Sequence, residues 1–404
     1  MKSPSLESKF QPIFPPADRI ASFKPYYFAS LNRKIDQLKS QGQDVIRIDI
    51  GSPDLPPADF IIDAMVESSR NGTHHGYGPN GGPIKFKEAV SQYYSRRFNV
   101  DLDPSSQVLG LIGSKEGLFH LSQVLINPGD VVLVPDPGYP VYKASGVIAG
   151  AEIYPLPLNI DNHFLPDLDS IPEDIARRSK ILWLNYPNNP TGAVADLEFF
   201  QKAVDFGRKY NCLVAHDAPY TDVCFNDYKA PSILEIQGAE EVCIEFNSLS
   251  KTYNMAGWRV GMAVGNAKVI NYMHTYKSQL DTSQFTPIFD AGVSALTQDQ
   301  TWLVERNLIY QQRRDIILKA IREAGFVAET PPAAIYIWAK LPHGMHDSMS
   351  ICSQLLDQAG LSITPGIIYG DHGEGFVRLS LCTPADRLKV AMDRLIEWVN
   401  YQKN

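Results

Sequence analysis

Short apolar runs alternate along this chain with longer stretches whose apolar positions recur every three or four residues. The runs at 108–112, 131–134, 153–155, 181–184, 213–215, 242–246 and 259–264 predict strands. Between them lie segments such as LEFFQKAVDFGRKY, residues 197–210, with the period of a helix that buries one face. That alternation predicts an α/β fold with a mostly parallel sheet. After about residue 301 the texture changes to a long helical stretch at 302–325, a strand at 335–340, a helix near 349–359, a strand at 375–381 and a closing helix at 385–401. This predicts a second, smaller α+β domain. The first fifty residues, with a helix at 28–41 and a strand at 45–50, find no place in the large sheet and are assigned to the smaller unit. The expected division is 52–300 for the large domain, with 1–51 and 301–404 forming the small one. No internal repeat, low-complexity tract or Pro/Gly/Ser linker interrupts the pattern.

Composition narrows the class of partner. With 404 residues, 44% of them hydrophobic and 20% charged, the chain can bury one large core or two modest ones. A formal net charge of −8 argues against nucleic acid, whose phosphates demand a basic face. The cysteines Cys212, Cys224, Cys243, Cys352 and Cys382 form no CxxC pair, so neither a metal ribbon nor a disulfide framework is expected and no metal is called for. Residues 1–20 lack the apolar core of a signal peptide, and no run approaches the ~18 to 20 apolar residues that span a bilayer. A cytoplasmic protein acting on small molecules, away from membranes, is expected.

One motif is misleading. Gly76-Tyr-Gly-Pro-Asn-Gly81 matches GxGxxG, but a dinucleotide fingerprint follows a buried strand, and here the preceding residues are SSRNGTHH. No acidic residue ends a second strand about 20 residues on, as that fingerprint requires. Nicotinamide dinucleotide binding is set aside.

Four other pieces fall at or near the C-terminal ends of predicted strands, where open α/β sheets place ligands. Gly113-Ser-Lys-Glu-Gly117 joins a strand to a helix predicted at 118–125, whose first amides suit a phosphate. Asn185-Tyr-Pro-Asn-Asn-Pro-Thr-Gly192 reads as a turn with neutral hydrogen-bonding groups. His216-Asp217-Ala-Pro-Tyr220 offers an acid that serves either as a helix cap or as a buried functional group. Asn247-Ser-Leu-Ser-Lys251, followed by Arg259, sets a lysine among small hydroxyls. Such a lysine is either a solvated loop residue or, desolvated near other cations, a nucleophile.

Taken together these pieces resemble the class I/II aminotransferases, fold-type-I enzymes of pyridoxal 5′-phosphate (PLP), over essentially the whole chain. The most specific elements are the NPTG turn, the aspartate with a tyrosine three residues later, and SLSKTYNMAGWRVG. The resemblance implies that Lys251 is the lysine to which the family attaches PLP. It makes Asp217 the partner of the pyridine nitrogen, Tyr220 and Asn189 the groups on the ring's 3′-oxygen, and Tyr139 of DPGYPVY the stacked aromatic. Ser114, Lys115, Ser248 and Arg259 match the phosphate cup. Arg378 of FVRLS matches the arginine that grips the substrate α-carboxylate, and Gly51 the backbone lining the same pocket. Tyr77 matches a tyrosine that reaches the neighbouring subunit's phosphate, which implies a homodimer.

The reaction so implied moves an amino group between an amino acid and a 2-oxo acid, with 2-oxoglutarate and glutamate as one pair. For the substrate, no arginine occurs between Arg259 and Arg306, where some aspartate aminotransferases carry one for a distal carboxylate. Lys115 is a candidate substitute. The runs GSKEGL, DPGYPVY, NYPNNPTGA and IEFNSLSKTYNMAGWR resemble the LL-diaminopimelate aminotransferase branch. Alternatives are an acidic donor such as aspartate, an alanine or broad-specificity enzyme, a PLP-dependent C–S lyase of the same fold, and an effector sensor of a transcription factor. The last would need an N-terminal DNA-binding domain, and no helix-turn-helix pattern precedes Gly51.

Overall fold

Strand β1 (Ile46–Arg47) is followed by the strands of one seven-stranded sheet: β2 (Val108–Leu111), β3 (Val131–Asp136), β4 (Glu152–Pro157), β5 (Ser179–Asn185), β6 (Leu213–Asp217), β7 (Cys243–Ser248) and β8 (Gly261–Gly265). The structure is a computed structural model and describes residues 14, 16–21, 23 and 27–403; the rest of the segment 1–51 lies outside the described residues. The sheet order is β2-β8-β7-β6-β5-β3-β4. Strands β4, β3, β5, β6 and β7 pair in parallel, and β8 runs antiparallel to both β7 and β2. This is the expected α/β class with a mostly parallel sheet.

Helices cover both faces, so the central strands are apolar on both sides. Along β5, Leu182 and Leu184 enter one buried cluster while Ile181 and Trp183 enter another, as the two-residue period of a strand dictates. The helix Leu197–Tyr210 shows how sequence makes a covering element. Asp196 caps its start by accepting from the Phe199 amide at 2.8 Å, and Asn211 ends it in the left-handed region at φ 53°. Between them Phe199, Phe200, Ala203, Val204 and Phe206 are buried on one face. Each large apolar side chain so placed contributes about 1.5 to 3 kcal/mol.

The remaining strands form two small units. A three-stranded antiparallel sheet has the order β11-β12-β9, from β9 (Tyr336–Lys340), β11 (Thr364–Pro365) and β12 (Phe376–Ser380). Strand β10 (Leu361–Ser362) pairs in parallel with β1, bringing the start of the chain onto its last third. The helices Trp302–Glu323 and Ala385–Lys403 pack against each other over this unit, whose core includes Ile317, Ile321, Leu388 and Leu395.

Three local features differ from expectation. The helix placed at 118–125 begins at Ser114, immediately after Gly113 at φ 74°, so the Ser114 and Lys115 amides belong to its first turn. Lys251 sits on a short helix, Leu249–Thr252, rather than in a loop. The two-residue strands β10 and β11 are too short for periodicity to reveal. Among the described residues no helix is long and apolar enough to cross a membrane, and no group of three His, Cys, Asp or Glu could hold a metal ion.

Candidate active site

Because β5, β6 and β7 are parallel, their C-terminal ends share one edge of the sheet, and Asn185, Asp217 and Ser248 are the last residues of those strands. A cavity of about 460 Å³ opens at this edge and reaches across to Tyr336 on β9 and Arg378 on β12. Of the residues singled out in the sequence, Gly51, Ser114, Lys115, Tyr139, Asn189, Asp217, Tyr220, Ser248, Lys251, Arg259 and Arg378 all line it. Tyr77 does not, and its side chain is 94% exposed on this single chain.

Ser248 ends β7 and caps the helix that carries Lys251, accepting from the Ser250 amide at 3.2 Å. One helical turn then aims Lys251 back over the strand ends, where its Nζ donates to the Gly51 carbonyl. A side chain at Gly51 would collide with the Tyr336 hydroxyl, which is why the backbone can approach so closely there. Tyr336 in turn shares a 3.0 Å hydrogen bond with the Tyr220 hydroxyl. Burial holds the Tyr220 phenol well above its ordinary value, so it stays a neutral donor.

Asp217 is buried beside these groups. Its Oδ2 accepts from the Tyr142 hydroxyl at 2.7 Å, while Oδ1 has no partner among the described residues. Burial pushes its carboxyl up to about 6, against the opposing pull of the Tyr142 hydroxyl, His216 and Lys251. On the reverse side of the strand the adjacent His216 is fully paired: Nδ1 faces Glu245 Oε2 at 2.8 Å and Nε2 faces the Tyr186 carbonyl at 3.0 Å.

The turn after β5 is built by asparagines. Asn185 Nδ2 donates to the Asp217 carbonyl at 2.6 Å and its Oδ1 accepts from the Asn189 amide at 2.8 Å, tying β5, β6 and the turn together. Asn188 Oδ1 accepts from both the amide and the hydroxyl of Thr191. The turn contains cis peptides at Tyr186-Pro187 and Asn189-Pro190. It presents Asn189 Oδ1 to Arg378 Nη1 at 2.9 Å. Arg378 Nη2 donates to the Asp49 carbonyl at 2.8 Å, and its guanidinium lies 4.1 Å from the Tyr336 ring centre. Nε of this buried cation has no partner among the described residues. The arrangement is a rigid guanidinium in an aromatic box, suited to a planar carboxylate.

At the other end, Gly113 leaves room that any side chain would deny to the Arg259 guanidinium. Arg259 is itself left-handed, at φ 58°, and donates to the Ala256 carbonyl at 2.8 Å. Burial, and then the charge of Arg259, holds the Lys115 amine below its ordinary value. Behind this helix start, Lys277 is wholly buried between Glu116 at 2.5 Å and Asp281 at 2.8 Å, and Glu116 also accepts from the Ile112 amide. That cluster fixes the turn on which Ser114 and Lys115 sit.

Several lining or bracing groups escaped the sequence reading. Tyr336 and the Arg47–Asp49 pair sit at positions that only tertiary pairing brings to the cavity, and Tyr142 braces Asp217 from the core without lining it. Asn185 was within reach, since it opens a quoted motif directly at a strand end.

Comparisons with known proteins identify the family. The family model described as aminotransferase class I and II matches residues 43–395. The LL-diaminopimelate aminotransferase of Moorella thermoacetica is 47% identical over 379 residues, covering 94% of this chain and 97% of that protein. Among solved structures, substrate-bound BacF of Bacillus subtilis superposes with a TM-score of 0.92 at 35% identity, over 96% of this chain and 98% of that one. A single mutant of Thermus thermophilus aspartate aminotransferase gives 0.89 at 27% identity, over 95% and 100%.

Proposed function

This chain belongs to the aminotransferase class I and II family and is a PLP-dependent aminotransferase, and we propose that its donor is LL-2,6-diaminopimelate or a closely similar acidic amino acid, with 2-oxoglutarate as acceptor. One observation carries this reading: among the described residues the cavity is lined by Arg47, Lys115, Lys251, Arg259 and Arg378 against only Asp49 and Asp217. That excess suits an anionic phosphate together with a substrate bearing two carboxylates. The name of the Moorella relative supports the same donor.

The residues present fit PLP. The unpaired, buried Asp217 Oδ1 suits a ring N–H, and the helix start after Gly113 with Arg259 beside it suits a phosphate. In this reading Ser114, Lys115, Ser248 and Arg259 hold the phosphate, Tyr139 covers the ring, and Asn189 and Tyr220 hold its oxygen. Bound PLP supplies an electron sink for the pair left behind at the substrate Cα. Lys251 carries the cofactor and moves the proton from the donor Cα as general base, positioned by the Gly51 carbonyl. Arg378, fixed by Asn189 and Asp49, orients the α-carboxylate so that the Cα–H bond faces that amine. Asp217, once ionised, keeps a proton on the ring nitrogen.

Further proposals follow from the same reading. Residues 52–300 act as the PLP-binding domain and 1–51 with 301–404 as the smaller one, supported by one buried cluster drawn almost wholly from the first and another drawn mostly from the second, to which Tyr220, Val223 and Phe225 also contribute. Tyr77 serves the neighbouring site of a homodimer. Its exposure, beside a Gly78 that packs on Gln284 and Thr286 and near exposed Phe285, supports a face waiting for a second copy. Cysteines without disulfides fit the cytoplasm.

The test is a panel of donors with 2-oxoglutarate, read as glutamate formed. LL-2,6-diaminopimelate should exceed alanine in kcat/KM by at least about tenfold, the value of one charge-assisted contact. An alanine preference overturns the donor, and pyruvate with ammonia but no glutamate points to a lyase.

A further inference from the structure

Two arginines of the helix Trp302–Glu323, Arg306 and Arg313, are buried and do not line the cavity. A buried guanidinium is costly unless its donors are met, so the partners reveal what each one holds.

Arg306 holds backbone. Its Nη1 donates to the Lys251 and Thr252 carbonyls at 2.8 and 2.7 Å, and its Nη2 to the Asp222 carbonyl at 3.0 Å. Lys251 and Thr252 end the short helix Leu249–Thr252, and the last carbonyls of a helix have no partner within it. Asp222 lies two residues beyond Tyr220. One guanidinium thus joins the support of the lysine to that of the tyrosine.

Arg313 holds the opposite side of the site. Its Nη1 and Nη2 donate to the two carboxylate oxygens of Asp54 at 2.7 and 2.9 Å, and Nη1 also reaches the Leu381 carbonyl at 3.0 Å. Asp54 lies three residues after Gly51, whose carbonyl receives Lys251 Nζ, and Leu381 lies three after Arg378.

Both grips stand on one face of one helix. Two turns separate them, a rise of roughly 10.5 Å. The buried Tyr310 ring fills the interval, with its centre 5.7 Å from the Arg306 guanidinium and 5.5 Å from that of Arg313. The spacing between the grips is therefore set by helix geometry and not by a loop. Bracing for stability alone could fall anywhere in the chain. Here every partner is at, or within three residues of, a group that faces the cavity: Lys251, Tyr220, Gly51 or Arg378.

We propose that Arg306 and Arg313 are positioning residues, and that the helix bearing them fixes the separation between the Lys251 amine and the Arg378 guanidinium. That separation decides whether the Cα–H bond of a donor held by its carboxylate meets the amine. The inference rests on the roles read for Lys251 and Arg378, and it is independent of which donor is used.

The holoenzyme is followed through a single turnover with glutamate, and calorimetry measures the binding of 2-methylglutamate, which has no Cα proton to lose. A displacement of about 1 Å can cost roughly 10²-fold in rate. Arg306→Gln and Arg313→Gln should each lower the limiting rate per bound cofactor by about 10- to 100-fold, and change 2-methylglutamate affinity at least ten times less. The isotope effect with Cα-deuterated glutamate should not fall, since the slowed step is the proton transfer itself. Losses at independent sites multiply, but two grips on one helix should not: the double variant should lose about tenfold less than the product of the single losses. Arg306→Lys and Arg313→Lys, which keep the charge but not the fork, should fall between, and they decide the matter where a glutamine variant does not fold. An unchanged limiting rate, an equal loss of 2-methylglutamate affinity, a collapsed isotope effect or full multiplication in the double variant overturns the proposal. If Lys251→Ala still removes the Cα proton, or Arg378→Lys binds 2-methylglutamate as tightly as the wild type, the underlying reading of the site fails, and this inference with it.

Discussion

Two carboxylates on neighbouring strands of one sheet, Asp217 on β6 and Glu245 on β7, are both buried but are treated in opposite ways. Glu245 accepts from the Tyr94 hydroxyl at 2.7 Å, His216 Nδ1 at 2.8 Å, the Ser232 hydroxyl at 2.9 Å and the Ile233 amide at 3.2 Å. Asp217 accepts from Tyr142 alone and keeps one oxygen unpaired among the described residues. The saturated acid braces the fold, since a buried charge is tolerated when every lone pair finds a donor. The unsaturated one is costly until something arrives to meet it. Arg378, with its unpaired Nε, stands in the second class, while Lys277 between Glu116 and Asp281 stands in the first.

The sharpest way to separate the two classes is to remove the reactive member. Lys251→Ala should lower the half-reaction rate by more than about 10⁴-fold, because the proton-transfer role alone is worth 10² to 10⁴ and the covalent role is lost with it. Its thermal unfolding should stay near that of the wild-type apoprotein. Borohydride labelling that persists elsewhere on the chain would remove Lys251 from the reaction.

The opposite pattern is expected on the braced side. Glu245→Gln turns an amide N–H₂ toward groups that are themselves donors, and should cost about 3 kcal/mol or more of stability, with or without PLP. Urea unfolding measures it. A loss of turnover with unchanged stability would instead move Glu245 into the ligand-facing class.

The smallest effect, and the most telling, is at Asp217. Its carboxyl is raised by burial to about 6, from an ordinary value near 3.8. Between those values the folded apoprotein holds a proton that the unfolded chain has lost, so this group's contribution is full below about 4 and disappears as pH rises through about 6. Two units at 1.36 kcal/mol each amount to on the order of 3 kcal/mol. Asp217→Asn apoprotein should therefore match the wild type at pH 4 and exceed it by roughly that amount at pH 8, while binding PLP about tenfold to hundredfold more weakly. A variant less stable than wild type at pH 8 would show that the comparison with Glu245 is wrong.

Much of this was legible before any coordinates. The central strands of the large sheet announced themselves because both faces are covered, which makes them apolar runs, whereas the edge strand β4 is largely exposed. The strand-end motifs were legible because parallel strands bring their C-terminal ends to one edge. What stayed hidden depends on partners far away in sequence. Tyr336 gains meaning only through Tyr220 and Gly51, and Tyr142 only through Asp217. Arg47 looks like any polar residue of a short strand until β1 is seen paired with β10. The helix start at Ser114 was missed because Gly117 reads as a turn residue, although it is glycine for another reason: a side chain there would press on Leu111 and Phe246.

The bond from Arg378 to the Asp49 carbonyl joins residues 329 apart. At about 5 to 20 residues per second, a ribosome needs roughly 15 to 65 seconds to travel from one to the other. The nascent chain can assemble the strand-end edge that bears Lys251 well before it possesses the arginine for the carboxylate. During synthesis the segment around Asp49 must wait unpaired for a strand that has not yet been translated.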